Sequence, residues 1–138
     1  MGLDNGIIIK SNRRQLTRDD LPTGIVYPFN EDDSSIGIEI VYWRKCWGIR
    51  NEIMNTFGWR FADDDQYQFE IDTPEQVFKL IEIIASWLDK KRWDEEGNSI
   101  WEYDTMRSTL IANIVNLSMI YIYMFSNPDI YLEFYDSY

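Results

Sequence analysis

The stretch 109–125 constrains the fold more than any other, because it carries no charged residue and is interrupted only by Asn113, Asn116 and Ser118 among aliphatic and aromatic side chains. A membrane-spanning helix needs about 20 consecutive, mostly apolar residues. This run is shorter and broken by polar groups, which predicts a core helix that begins near residues 99–103 and ends at Phe125. Leu110, Ile114, Leu117, Tyr121 and Met124 recur every three or four positions and mark its buried stripe. Ile111, Val115, Ile122 and Phe125 extend the apolar surface onto the adjoining face, leaving Asn113 and Asn116 on a narrow polar side. A helix apolar over so much of its circumference belongs at the centre of the fold, with the rest of the chain around it.

The flanking segments supply a sheet. Residues 5–10 include Ile7, Ile8 and Ile9, a β-branched run suited to a strand buried on both faces. Residues 36–41 form a second strand that passes directly into a helix over 42–57. On that helix Tyr42, Cys46, Ile49, Ile53 and Phe57 fall at helical spacing, and Gly58 stops it. Tyr67, Phe69 and Ile71 alternate with Gln68 and Glu70 in a half-buried strand. Thr73, Pro74 and Gln76 make a capping box with proline at the first helical position, opening a helix whose apolar face is Val77, Leu80, Ile81, Ile84 and Leu88. Lys90, Lys91 and Arg92 then complement the negative C-terminal end of that helix, and residues 94–98 form a charged turn. After Asn127 and Pro128, Ile130, Leu132 and Phe134 alternate with Tyr131, Glu133 and Tyr135 in a last strand. Residues 11–35, rich in charge, proline and glycine and including Glu31, Asp32 and Asp33, read as a long loop. Together these predict one α+β domain over residues 1–138, a small mixed or antiparallel sheet of about four strands packed against three helices, the last helix central.

The chemistry is bounded mainly by what is missing. The chain has no histidine, which removes Ser-His and Cys-His nucleophile schemes and the usual zinc sites. The single cysteine, Cys46, has no partner for an internal disulfide, and in an apolar pattern it behaves as a small hydrophobe, as expected in a reducing compartment. Residues 1–10 lack the charged start, long apolar run and cleavage site of a secretory signal. The expected setting is cytoplasmic, away from membranes. No motif names a catalytic residue or a cofactor. No metal site is expected either, since Asp63, Asp64 and Asp65 lack the glycine and distal glutamate of an EF-hand loop.

Charge is divided unequally. Residues 1–60 hold eight basic and eight acidic side chains, whereas 61–138 hold five basic and sixteen acidic, the whole net charge of −11. Such a half repels nucleic acid and steers basic partners toward itself. Asp63, Asp64, Asp65, Asp94, Glu95 and Glu96, with Tyr131, Glu133 and Tyr135 on the last strand, are the candidate partner-binding residues; Asp129, Asp136 and Tyr138 lie near them in sequence. Acidic loops also serve plain solubility. A second candidate is the set Trp43, Arg44, Lys45, Trp47 and Arg50, aromatics interleaved with cations on one helix, which could clamp a nucleotide. Ordinary helical core packing explains the same tryptophans.

Met1-Gly2-Leu3-Asp4 and Glu39-Ile40-Val41-Tyr42-Trp43-Arg44-Lys45 resemble the opening and the Tyr-Trp-Arg-Lys helix start of a group of small bacteriophage and prophage proteins. Those proteins often continue with Ile-His where this chain has Ile49-Arg50, so no role of that histidine carries over. The resemblance implies a phage origin and a bacterial cytoplasmic setting. Joined to the charge map, it leads to the expectation of a non-enzymatic accessory protein that inhibits a host factor with a basic surface. A nucleic-acid-directed defence enzyme such as a CRISPR effector fits, its nucleic-acid groove occupied by the acidic surface as a DNA mimic. The alternatives are a protein that sequesters a nucleotide signal, and an assembly module that pairs through its C-terminal strand.

Overall fold

In a computed structural model that describes residues 3–30, 37–59 and 68–137, the sheet is assembled on β1 (Asp4–Ser11) and β4 (Ile130–Ser137). Its order is β2-β1-β4-β3, with β2 Ile38–Arg44 and β3 Gln68–Ile71, and every pair is antiparallel. The register sets Ile7 opposite Val41 and Phe134, and Ile9 opposite Ile38 and Leu132. Side chains alternate across a strand, so Ile7, Ile9, Leu132, Phe134, Phe69 and Ile71 share the face beneath the helices, and all are buried. The α+β class, the four strands and the long last helix match the sequence expectation.

The first difference lies at Tyr42, Trp43 and Arg44, which belong to β2 and not to a helix. Tyr42 pairs with Gly6, Trp43 with Asn5 and Arg44 with Asp4, so the ladder with β1 outcompetes the helical spacing. A bulge at Ile40, where the register shifts between the partners of Ile7 and Ile8, helps both Ile40 and Val41 to be buried. Lys45 then turns the chain with φ of 55°, its N–H donating to the Leu3 carbonyl at 2.7 Å, and α1 (Trp47–Phe57) begins. Gly58 ends it in the left-handed conformation with φ of 70°, as expected.

The second difference is an additional helix. α2 (Pro74–Ser86) opens with the expected Thr73–Gln76 capping box and ends at Ser86. The chain turns, and Lys90–Glu96 forms a separate helix, α3, capped by Asp89, whose carboxylate accepts from the Lys91 and Arg92 amides. The basic trio therefore sits at a helix N-terminus, the end that the dipole disfavours for cations. Local anions hold two of them: Lys90 pairs with Asp94 at 2.6 Å, and Arg92 contacts Glu52 and lies over the Trp87 ring. Asp94, Glu95 and Glu96 are helical, not part of a turn.

The third difference reverses a face of the long helix, α4 (Tyr103–Ser126). Asn113 and Asn116 are 5 % and 0 % exposed, whereas Ile111, Val115, Ile122 and Phe125 are 37 %, 42 %, 69 % and 64 % exposed. The buried stripe runs through Met106, Leu110, Asn113, Leu117, Ile120 and Met124. Two buried polar groups dictate the rotation. The indole N–H of Trp43 donates to Asn113 Oδ1 at 2.8 Å, and the Ile40 carbonyl at the bulge accepts from Asn116 Nδ2 at 2.9 Å. Buried donors and acceptors need partners, so the asparagines face the sheet and the aliphatic residues are turned outward. Asn116 also accepts from the Val26 amide and donates to its carbonyl, both at 2.8 Å, which ties the loop after β1 to the helix. That loop is not featureless: Arg18–Asp20 form a 3-10 turn, and Leu16, Leu21 and Ile25 enter the core.

Candidate functional site

Three of the expected acidic residues, Asp63, Asp64 and Asp65, lie outside the described residues, as do Met1, Gly2, Glu31, Asp32, Asp33, Ile36, Tyr67 and Tyr138. The other expected partner-binding residues fall in two separate places. Asp94, Glu95 and Glu96 are exposed on α3. Glu133 is buried at 8 % exposure and ion-paired with Lys10, while Tyr131 and Tyr135 are half-buried. The Tyr135 ring lies across Gly6 and its hydroxyl donates to Glu39. Burial, with that hydrogen bond second, pushes the Tyr135 phenol well above its usual range, and burial likewise raises the Glu39 carboxyl.

β4 is also an internal strand, bonded to β1 along its length and to β3 over residues 132–135. It offers no free edge there for the strand pairing that an assembly module would use. Tyr131 stands opposite Lys10, six residues along β1 from Asp4, or about 20 Å. Asp4 lies at the α3 end of the sheet, because its partner Arg44 bonds to the segment between α3 and α4. Tyr131 is therefore far from that end, whereas Tyr135, opposite Gly6, is only two residues along β1 from Asp4.

The nucleotide-clamp set is likewise divided. Trp43 is 1 % exposed in the core. The Arg50 guanidinium lies over Trp47, 5.7 Å from the ring centroid, and is engaged by the buried Asp136 and by Asn51. Arg44 is exposed at the end of β2 and Lys45 occupies the turn, so Trp43 and Trp47 do not form one cation-lined face.

What the fold does bring together is the corner between α3 and α4. Residues 97–102 connect the two helices and are held from several sides. The Gly48 amide donates to the Gly97 carbonyl at 2.8 Å, and Ser99 forms an isolated β-bridge with Cys46. A Cβ on Gly48 would stand 2.7 Å from that same carbonyl, so glycine is required for the approach. Cys46 is enclosed there, its thiol pushed up to about 11 by burial, which removes it as a nucleophile near neutral pH.

Trp101 is fixed in this corner by its own backbone and ring. Its amide donates to Ser99 Oγ at 3.0 Å, its carbonyl accepts from the Trp93 indole at 2.9 Å, and its indole donates to the Arg44 carbonyl at 3.0 Å. It nevertheless remains 39 % exposed, beside Ile100 at 66 %. A cleft of about 190 Å³ opens next to it, lined by Tyr42, Arg44, Trp101, Thr105, Met106 and Thr109. Asp94, Glu95, Glu96, Glu102 and Asp104 flank the pair in sequence and are all exposed. Three of them, Asp94, Glu102 and Asp104, act on a common point. The Lys90 ammonium is held above its usual range first by its hydrogen bond to Asp94, and further by the charges of Asp104 and Glu102.

Trp101, Ile100, Glu102 and Asp104 were absent from the expected site because 99–103 reads as the start of the long helix. The available signal was an Ile-Trp pair, Ile100-Trp101, one residue after Gly97-Asn98 and just ahead of Glu102 and Asp104. Among the described residues, no group of three or more Cys, Asp or Glu side chains is arranged to hold a metal ion. Comparison of the chain with protein-family models, with curated proteins and with solved structures finds no match.

Proposed function

We propose that this chain is a non-enzymatic binding protein that docks a basic protein surface at the α3–α4 corner. The observation that carries the reading is the juxtaposition, within residues 94–104, of a rigidly held, part-exposed tryptophan and five exposed carboxylates, one of which, Asp94, is ion-paired with Lys90. Interfaces are built this way, with an aromatic or aliphatic anchor at the centre and polar groups around it. Fixing Trp101 beforehand by three hydrogen bonds lowers the entropy lost on binding. The flanking carboxylates repel nucleic acid and favour a partner rich in Lys and Arg, accelerating encounter at low salt. Combined with the resemblance to phage and prophage proteins, this points to a host nucleic-acid-directed enzyme as the target, inhibited by occupation of its basic groove.

Affinity capture from bacterial lysate tests the reading when the wild type is run beside Trp101→Ala and the double variant Glu102→Lys/Asp104→Lys. The expected result is a basic protein retained by the wild type at low salt, released as salt rises and by added DNA, and lost with both variants. Retention unaffected by the substitutions and by DNA would overturn it.

A further inference from the structure

A second surface, separate from the α3–α4 corner, is the outward face of α4. Past Arg107 the helix carries no charged residue to its end at Ser126. Its water-facing residues Ile111, Val115, Ile122 and Phe125 are apolar, and Phe78 of α2, 50 % exposed, continues the patch through Tyr121. The Phe78 and Tyr121 rings are 5.9 Å apart, and the Tyr121 and Phe125 rings 5.2 Å. On α2, Lys79 and Glu82 pair with each other at 3.9 Å, which leaves Glu75 in the first turn as the one further charge on this helix. Of the most apolar stretch of α4, 33 % is buried within the protein.

The spacing of the stripe says what covers it. Ile111, Val115, Ser118, Ile122 and Phe125 follow one another at steps of four, three, four and three, the repeat of a helix seam that packs on another helix. Ser118 stands at the middle, small enough for two backbones to approach. A two-fold axis through Ser118 sets Ile111 against the partner's Phe125 and Val115 within one residue of the partner's Ile122, so the surface complements itself, as a symmetric dimer requires. From their fractional exposure, the four α4 residues and Phe78 leave on the order of 500 Å² of apolar area in water. A standard interface buries about 800 Å² per partner, so this patch supplies more than half.

A lipid surface fits less well. Helices that lie on membranes carry Lys and Arg along their polar face, and anionic lipids repel an acidic protein. Here α4 has one basic residue, Arg107, and the chain a net charge of −11. We infer that the outward face of α4 is the interface of a two-fold, antiparallel homodimer centred on Ser118.

Sedimentation equilibrium of the full chain over a range of concentrations tests this directly. The expected result is a monomer–dimer equilibrium in the wild type. Ile122→Glu and Phe125→Glu, at exposed positions that the monomer fold tolerates, should raise the dissociation constant about thirtyfold or more, with unchanged far-ultraviolet circular dichroism. Ser118→Cys should form an intermolecular disulfide across the axis under mild oxidation, with Cys46 buried and unreactive. A wild type that stays monomeric at every concentration would overturn the proposal, whether or not it then sediments with phosphatidylcholine vesicles. A dimer unaffected by both glutamate variants would overturn it equally.

Discussion

The Arg50 guanidinium grips the Asp136 carboxylate where the first turn of α1 meets the end of β4, with Nη2 2.7 Å and Nε 3.1 Å from the same Oδ2. Asp136 is fully buried and Arg50 12 % exposed, and Asn5 Nδ2 donates to the remaining oxygen at 2.6 Å. Removing one partner of a buried ion pair strands the other charge, at a cost of about 3–5 kcal/mol. Asp136→Ala is therefore expected to lower unfolding stability by that amount in urea titration. Arg50→Met combined with Asp136→Leu should recover much of the loss, because no charge is then left unpaired. A loss below about 1 kcal/mol for Asp136→Ala would remove the pair from the forces that hold α1 to the sheet.

Asn116 joins three parts of the molecule through one amide: α4, the Ile40 bulge in β2, and Val26 in the loop after β1. Asn116→Leu fills the same space but leaves the Val26 amide and two carbonyls without partners. Each such group costs about 1–3 kcal/mol where water cannot replace the bond. The expected outcome is a destabilisation of about 2–4 kcal/mol with selective loss of hydrogen-exchange protection at the Val26 amide. Uniform loss of protection across the chain would show instead that the loop is held by Leu16, Leu21 and Ile25 alone.

The same residue shows where sequence reasoning ends. Periodicity locates the helix and most of its buried stripe, because leucine and methionine recur at 3.6-residue spacing whatever the helix packs against. It cannot tell which of two neighbouring faces turns inward when both are apolar. That choice is made by polar groups on other elements, the Trp43 indole and the Ile40 carbonyl, which become neighbours of α4 only through tertiary structure. Tyr42 and Trp43 were misplaced for a related reason, since pairing with Gly6 and Asn5 of β1 decided their conformation. The Thr73 cap and the Gly58 terminator were legible because their causes are local. The docking corner was legible only in its acidic part; the exposure of Trp101 depends on Arg44 and Trp93 meeting it from two other elements.

Gly6 and Tyr135 face each other across the β1–β4 pair, and a Cβ on Gly6 would stand 2.6 Å from the Tyr135 Cζ. Gly6→Ala must displace that ring and with it the hydrogen bond to Glu39. A destabilisation of about 1–3 kcal/mol is expected, as for an overpacked core. Tyr135→Ala removes the obstacle, so adding Gly6→Ala to it should cost less than Gly6→Ala alone. A double-mutant cycle in thermal or urea unfolding measures this coupling. Strict additivity of the two substitutions would show that the ring moves aside freely and that the glycine answers to some other contact.

On the face of the sheet away from the helices, the Tyr42 hydroxyl donates to Asp4 Oδ1 at 2.8 Å. Burial first, then the hydrogen bond to Asp4 and its negative charge, push the Tyr42 phenol from 10.0 up to about 12, and the same kinds of cause raise Tyr135. A phenol whose folded-state value lies above its unfolded value binds its proton more tightly when folded. The stability this contributes is present in full below the unfolded value, near pH 10, and is lost as pH rises through the folded one. Stability should therefore be flat on this account up to about pH 9 and fall between about pH 10 and pH 12. Tyr42→Phe, which cannot ionise, should make that decline shallower while weakening the neutral protein slightly through the lost bond to Asp4. An unchanged alkaline slope in Tyr42→Phe and in Tyr135→Phe would assign the decline to other groups.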